Sequence, residues 1–574
     1  MTQRPPHALD AARPEVAAIA AAERTSVVVI GGGINGIATF RDLALQGVDV
    51  VLVERADFAS GASSASSHMI HGGIRYLEYG EFRLVRESVR ERNDLLRTAP
   101  HIVHPLETTI PIYSLFSGLL SAPLRFLLHR SGKPKERGAL LIKVGLVFYD
   151  LFSRGGRVVP KHRFSGRRRT LEALPDLDPA VKYSATYYDA GMADPERLAL
   201  DVLLDGVAAH AGAHAANYVE AIGLTPSGVR LRDRETGAEF EIAAEVVVNA
   251  TGPWVDLTGA ELGEPSEFGG GTKGSHIVLD HPELLAATRG REIFFEYDDG
   301  RIVLVYPIRD RVLIGTTDLE ADPAEPVVCT EEEVDYFLSL VHSVFPAIPV
   351  DRSQIVYRFS GIRPLPRHDG EAAGSVSRDY RIEQAPSSSR RPALLTLIGG
   401  KWTTFRALGE TLGARVLAVL GRERTASTRG LPIGGGRDFP RDADARRAWI
   451  DRHLGGVAAP RREILFARYG TRAAEVVRAL GDGPEQLIAD GLLSTAEVAY
   501  LALHERVAHL EDLVLRRTDL AFTGRCTPGT LDQLGAALAS ALDWDLERLG
   551  REIADCGEVL RRHGVPAAEG AGRA

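Results

Sequence analysis

Residues 63–82, SSASSHMIHGGIRYLEYGEF, gather four serines, two histidines, a glycine pair and an Arg-Tyr step into one stretch. The mixture is too polar for a core and too apolar for a linker. Serine hydroxyls suit phosphate oxygens, a histidine such as His71 exchanges a proton near neutral pH, and Arg75 suits an anion. Two readings stand side by side: a loop that lies on a ligand, and a Ser-rich turn that leads into a surface helix.

The elements around this stretch favour a ligand. TSVVVIGGGINGIATFRDLALQGVDVVLVERAD reads as a strand at 26–30, a glycine turn, a helix from about 35 to 46 and a strand at 49–53 that ends in Glu54. Gly31, Gly33 and Gly36, with Gly32, Ile34 and Asn35 between them, spell G-x-G-x-x-G. The first glycine permits a tight turn, the second lets backbone approach a pyrophosphate, and the third lets the helix pack on the strand. The helix start adds unpaired N–H groups and a positive dipole end. Glu54 stands where a carboxylate accepts ribose hydroxyls and repels a 2′-phosphate. Two more strand-to-turn edges, Ala250-Thr251-Gly252 within 244–256 and Gly399-Gly400 within 393–408, are expected at the same ligand; alone, each reads equally as a plain βα turn. No second glycine fingerprint is visible for a separate nicotinamide cofactor, so a flavin held throughout turnover fits better than NAD.

The whole chain sets bounds on this reading. It has 574 residues, 44% apolar and 25% charged, enough for two or three domains around a large core. With 68 basic and 77 acidic residues its net charge is −9, which gives no global reason to expect nucleic acid. Cys329, Cys526 and Cys556 lie far apart without histidines at ligand spacing, so neither a disulfide framework nor a zinc site is indicated, and a reducing compartment is expected. The N-terminus lacks the pattern of a secretory signal and no run of 18 apolar residues occurs, so cytoplasmic residence is expected.

The motifs IGGGINGIA, SSASSHMIHGGIRYLEYGEFRLVRESVRERNDLL, VNATGPWVD, KGSHIVL, IGTTDLE, FSGIRPL, SRDY and GGKWTTFRALGE together resemble the FAD-dependent glycerol-3-phosphate dehydrogenases of the respiratory, quinone-linked type. They run in order from residue 25 to about 410, and HERVAHLEDLVLRRT at 504–518 is similar to that family's helical C-terminal domain. The resemblance implies an α/β protein: an FAD-binding, Rossmann-like domain of glutathione-reductase type, an antiparallel-sheet substrate cap and a C-terminal α-helical domain. It also implies oxidation of sn-glycerol 3-phosphate to dihydroxyacetone phosphate, in glycerol catabolism, with electrons passed from FAD to a membrane quinone. Other polyol phosphates, such as erythritol phosphate, and an oxygen-using oxidase are the alternatives.

The resemblance further implies site roles. A substrate phosphate carries about −1.5 to −2 charge and needs fixed cations. Arg363 and Lys401 match the family's substrate-binding pair, with Arg75, Tyr76 and Arg378 beside them. The hydroxyl proton needs a base while a hydride leaves for the flavin; His71 is the first choice, His276 the second. Asp318 is read as orienting substrate or an arginine, or as capping its own turn. Ser63, Ser64, Ser66, Ser67, Gly72, Gly73, Thr403 and Thr404 complete the expected FAD contacts. Two positions depart from the family: His68 stands for a lysine and Trp402 for a leucine. The first is expected to change the charge beside the flavin or its phosphates, the second to reshape the pocket.

The remaining sequence bears on organisation and partners. Residues 115–169, within an insertion bounded at 113–169, are rich in basic and apolar side chains, with Glu136 and Asp150 the sole acids. This suits an anionic membrane surface on the inner face of the cytoplasmic membrane, where quinone is reached, or else a buried helix with a basic edge. Residues 1–24 read as a mobile arm or short helix, 25–420 as the oxidoreductase, 421–445 as a linker, 446–562 as the helical domain and 563–574 as a disordered tail. FAD-binding segments are expected at about 25–110, 185–260 and 355–420, with the cap mainly at 261–354. A homodimer is a further possibility.

Overall fold

β-Branched residues at Val27, Val28, Val29 and Ile30 make a strand buried on both faces, as parallel sheets require. The structure is a computed structural model that describes residues 13–73, 81–114, 139–152, 158–297, 299–367, 379–481 and 483–565. The strand Arg24–Ile30 lies at the centre of an eight-stranded sheet. Val50–Val53 pairs parallel on one side and Glu239–Asn249 on the other. Ala393–Ile398 and Ala213–Ala216 extend the parallel set, and Arg381–Ala385 closes one edge antiparallel. Helices Ile34–Leu45, Pro195–Ala209 and Phe405–Val419 bury Ile37, Phe40, Leu203 and Leu412 in one core with the sheet residues Val27, Val29 and Leu52.

A ten-stranded sheet roofs the first. Its hairpin Ile302–Ile308 with Arg311–Gly315 follows the alternation of GRIVLVYPI and RVLIGTTD, and the helix Glu331–Val344 covers it with Val334, Phe337 and Val341. Its strands also come from beyond 261–354: Val103–Ile112 pairs along Tyr183–Met192, and Ile355–Pro366 along Gly269–Leu279. The cap therefore takes in segments that the sequence boundaries give to FAD binding. Alternation identifies these strands without naming their partners, and only the ladder assigns them to a sheet.

Three segments at the edges of the domains are held by packing. Pro14–Ala22 is a short helix, one of the two expected forms, that buries Val16 and Ile19 against the eight-stranded sheet. Residues 421–445 form a packed strap: Arg424 donates to both oxygens of Asp42 at 2.7 and 2.8 Å, and Ile433 is buried. Within 563–574, His563 Nδ1 meets the Arg358 carbonyl at 3.0 Å and Val565 is buried. The strap and the start of the tail are held by partners far away in sequence, Asp42 and Arg358. The helices from Ala443–His453 to Leu546–Arg562 enclose a separate core that includes Leu465, Leu501, Leu513 and Leu538. The described part of the insertion is the helix Ala139–Phe152 and the segment from 158 onward; residues 115–138 and 153–157 lie outside the described residues.

Candidate active site

The glycine turn is shaped by contacts that a side chain would block. A Cβ at Gly36 would stand 2.0 Å from the Gly31 carbonyl oxygen, so the helix start can sit this close to the strand end only with glycine. Glu54, at the end of Val50–Val53, accepts from the Gly32 N–H at 2.7 Å and the Ala56 N–H at 2.9 Å, and burial raises its pKa. Ser63 Oγ accepts from the Ile34 N–H at 3.0 Å, which ties the serine loop to the helix start. Asn35 Oδ1 is buried without a hydrogen-bond partner and lines the adjoining cleft. A buried acceptor left open there, beside a side-chain-free turn at a helix N-terminus, fits a dinucleotide's polar groups. Gly31 to Gly36 would hold the pyrophosphate and Glu54 the ribose.

The cleft beside this turn has a cavity volume of about 190 Å³. Five chain segments line it: Ile34 and Asn35; Ser63, Ser66 and Ser67; Gly274 and His276; Arg363; and Gly400, Lys401 and Trp402. Asn35, Ser63, Ser66, Ser67, His276, Arg363, Gly400 and Lys401 of the expected site are thus brought together. Arg363 sits opposite Thr272 in the cap ladder. Its Nη1 donates to Asp318 at 2.8 Å, and its Nη2 to Thr316 Oγ1 at 3.2 Å and the Thr317 carbonyl at 2.9 Å. Asp318 therefore orients an arginine. Gly400 has φ +118°, and a Cβ there would reach 2.4 Å from Asn35 Nδ2; the turn that presents Lys401 needs glycine. Trp402 Nε1 donates to the Ser63 carbonyl at 2.9 Å, so its ring pins two walls of the cleft together.

His276 is buried, stacks on Phe359 with ring centroids 4.8 Å apart, and has Nε2 2.9 Å from Ser67 Oγ. Burial, then the Arg363 charge and His68, push its pKa well below the usual histidine value. The ring is neutral at pH 7, and its buried Nδ1 has no hydrogen-bond partner.

Other expected residues fall elsewhere. His68 is turned away from the cleft into Phe522 and Phe359, its Nδ1 on the Ala193 carbonyl at 3.0 Å, and burial pushes its pKa down to about 4. The expected titratable charge beside the flavin is thus a neutral core ring, because Met69–Ile70 pairs with Ala190 and Gly191 and fixes which way its neighbour faces. His71 is not among the described residues lining the cleft; its carbonyl accepts from Thr403 Oγ1 at 3.3 Å. The Gly72 N–H donates to Asp189 at 2.8 Å, inside a buried group with Arg92 and Tyr149. Ser64 Oγ closes its own loop on the Ser60 and Gly61 carbonyls. Thr404 precedes the helix Phe405–Val419 without capping it. Ala250 to Gly252 is braced by Asn249, whose Oδ1 accepts from Thr251 Oγ1 at 2.7 Å. Gly73 closes the first described stretch, whereas Arg75, Tyr76 and Arg378 lie outside the described residues. Sequence reasoning missed Thr316 and Thr317, which fix Arg363, and Glu333, which accepts from Ser275 and Thr317 at 2.7 Å behind the site. The Thr-Thr step before Asp318 was the available signal.

A sheet with a parallel centre and a glycine turn, under a mainly antiparallel roof that sends an arginine into the shared cleft, defines a dinucleotide-binding oxidoreductase. Residues 26–406 match the family described as FAD dependent oxidoreductase, and residues 426–549 match the C-terminal domain of alpha-glycerophosphate oxidase. Glycerol-3-phosphate dehydrogenase of Synechocystis is 34% identical over 94% of this chain and 97% of that protein. D-Erythritol 1-phosphate dehydrogenase of Brucella abortus is 33% identical over 86% of this chain and 94% of that protein. The structure of glycerol-3-phosphate dehydrogenase from Bacillus halodurans, complexed with FAD, shares the fold: TM-score 0.73, 24% identity, 97% of this chain and 98% of that one. The chain belongs to the FAD-dependent glycerol-3-phosphate dehydrogenase family.

Proposed function

We propose that the protein oxidises sn-glycerol 3-phosphate to dihydroxyacetone phosphate, in glycerol catabolism, and passes the electrons to a membrane quinone. The observation that carries this reading is Arg363, held by Asp318 and Thr317 in one cleft with Lys401 and the neutral His276. Arg363 and Lys401 bind the phosphate, with Arg75, Tyr76 and Arg378 as further contacts. FAD, when bound, supplies the oxidant for the C2 alcohol. His276 accepts the hydroxyl proton: its buried, neutral ring lines the cleft, which favours it over His71. Ser67, on Nε2, holds the ring in place. The apolar stack on Phe359 keeps water from that face.

The test is anaerobic addition of glycerol 3-phosphate to the yellow protein. Bleaching of the flavin supports the reading. D-Erythritol 1-phosphate is the second substrate to try, because a dehydrogenase named for it is as similar as the glycerol-3-phosphate enzymes. If neither bleaches the flavin, the reading falls. Recolouring by soluble quinone, and not by oxygen, supports the proposed acceptor.

The same proposal puts the protein on the inner face of the cytoplasmic membrane as a peripheral enzyme. Among the described residues no helix is long and apolar enough to cross a bilayer. The helix Ala139–Phe152 carries Val144, Val147, Phe148 and Leu151 exposed, at i, i+3, i+4 and i+7, while Leu146 and Tyr149 face inward. Lys143, Lys161, Arg163, Arg167, Arg168 and Arg169 are exposed on the same insertion. An apolar stripe with basic neighbours suits anionic lipid. Phe148→Asp is expected to abolish co-sedimentation with anionic vesicles while substrate still bleaches the flavin; retained sedimentation refutes the docking face.

A further inference from the structure

The C-terminal helices reach the FAD cleft through one buried carboxylate. Asp57 is fully buried three residues beyond Glu54. Its loop forms a wall of the glycine turn: the Ala59 N–H donates to the Gly32 carbonyl at 2.9 Å, and a Cβ at Gly32 would stand 2.7 Å from Phe58 and 2.8 Å from Glu54. From the other side the C-terminal domain grips that loop. Arg516 Nε donates to Asp57 Oδ2 at 2.5 Å and Arg517 Nη1 and Nη2 to its two oxygens at 2.6 and 2.8 Å, while Asn217 Nδ2, from the FAD domain itself, donates to Oδ1 at 2.7 Å. Arg516 Nη2 continues to Asp512 at 2.8 Å, which also accepts from Tyr218 Oη at 2.6 Å. Glu511 lies 3.5 Å from Arg516 at the rim. Farther from the turn, Arg197 pairs with both oxygens of Glu505 at 2.6 Å. Buried arginines and carboxylates balance only while the two domains are together; separating them strands charge on both faces.

We propose that the C-terminal helical domain is a clamp on the FAD site, in which docking of residues 505–518 holds the 54–60 loop in its cofactor-binding position. FAD affinity and domain docking are then reciprocally linked, because each stabilises the same arrangement of the loop. Asp57, Arg516 and Arg517 are positioning residues, acting on the cofactor through Glu54 and the Gly32 turn. The inference rests on FAD occupying the cleft of Gly31 to Gly36 and Glu54.

Hydrogen exchange of the full-length protein, FAD-depleted and FAD-saturated, tests the linkage without any variant. FAD is expected to slow exchange both at residues 31–36 and at residues 508–518. Titration of depleted protein with FAD then measures affinity: Asp57→Asn, at the loop, and Glu505→Gln, away from it, are each expected to raise the FAD dissociation constant by roughly tenfold, within the range usual for coupled sites. Protection of 31–36 without 508–518 refutes the clamp and leaves the FAD site standing. Protection of neither removes the FAD reading of the cleft and the clamp with it. Unchanged affinity in both variants also refutes the clamp.

Discussion

Replacing Arg363 by lysine keeps the charge and removes the planar fork. In the structure the two terminal nitrogens are held by different partners, Nη1 by Asp318 and Nη2 by Thr316 and Thr317, so the guanidinium plane is fixed before substrate arrives. A lysine ammonium has one nitrogen on a flexible stem and cannot keep both anchors while it meets a phosphate. It keeps the Coulomb attraction but loses one charge-assisted bond, which contributes about 1.5–3 kcal/mol. At a factor of ten for about 1.4 kcal/mol, that is a rise of roughly 10- to 150-fold in KM for glycerol 3-phosphate. Steady-state kinetics with a soluble quinone reads this directly, with FAD content and thermal midpoint as controls for an intact fold. The rate of flavin reduction at saturating substrate should change far less than KM, because the phosphate anchor lies away from the reacting carbon. A KM within about threefold of the parent, with FAD content retained, would mean that Arg363 serves the cap and not the substrate.

Two further outcomes follow from the geometry. Gly36→Ala places a methyl carbon 2.0 Å from a backbone oxygen of Gly31, so the purified variant should be colourless and less stable; a yellow variant with parental FAD affinity refutes the close-packed turn. His68 predicts acid weakness: folded, its pKa is about 4, against 6.5 ordinarily, so below 6.5 the unfolded chain binds a proton that the folded chain refuses. Stability is therefore present above pH 6.5 and lost as pH falls toward 4, by about 2 kcal/mol at pH 5 from this residue. His276, also shifted down, adds in the same direction. Urea unfolding at pH 7.5 and pH 5 should show a smaller acid loss for His68→Asn, chosen because asparagine tolerates the φ of +54° there. Equal acid losses in the two proteins refute the buried, neutral ring.

The site was legible where its chemistry is local. Spacing within residues 30–54 specified the strand, turn, helix and terminal acid, because each glycine there answers a steric demand set by neighbours within one βαβ unit. Arg363, Lys401 and His276 were legible through motifs, and the structure brings all three to one cleft. Their ranking was not legible: His71 and His276 each sit beside small, polar residues, and only the fold leaves one in the cleft lining. Composition marked residues 421–445 as a linker but could not show that it is packed, because the Arg424 partner, Asp42, is hundreds of residues away.

By itself the sequence determined the dinucleotide turn, the acid that follows it, the family and the residue types available for phosphate and proton. Tertiary structure decided which way those residues face. A strand alternates its side chains with period two, so pairing register turns His276 into the cleft, and a left-handed backbone at His68, just before the paired Met69–Ile70, turns that ring into an aromatic core. It also decided what the C-terminal domain touches: Asp57 and Arg517 are each ordinary surface charges in sequence, and their burial against one another exists only when two residues 460 positions apart, in different domains, are brought together.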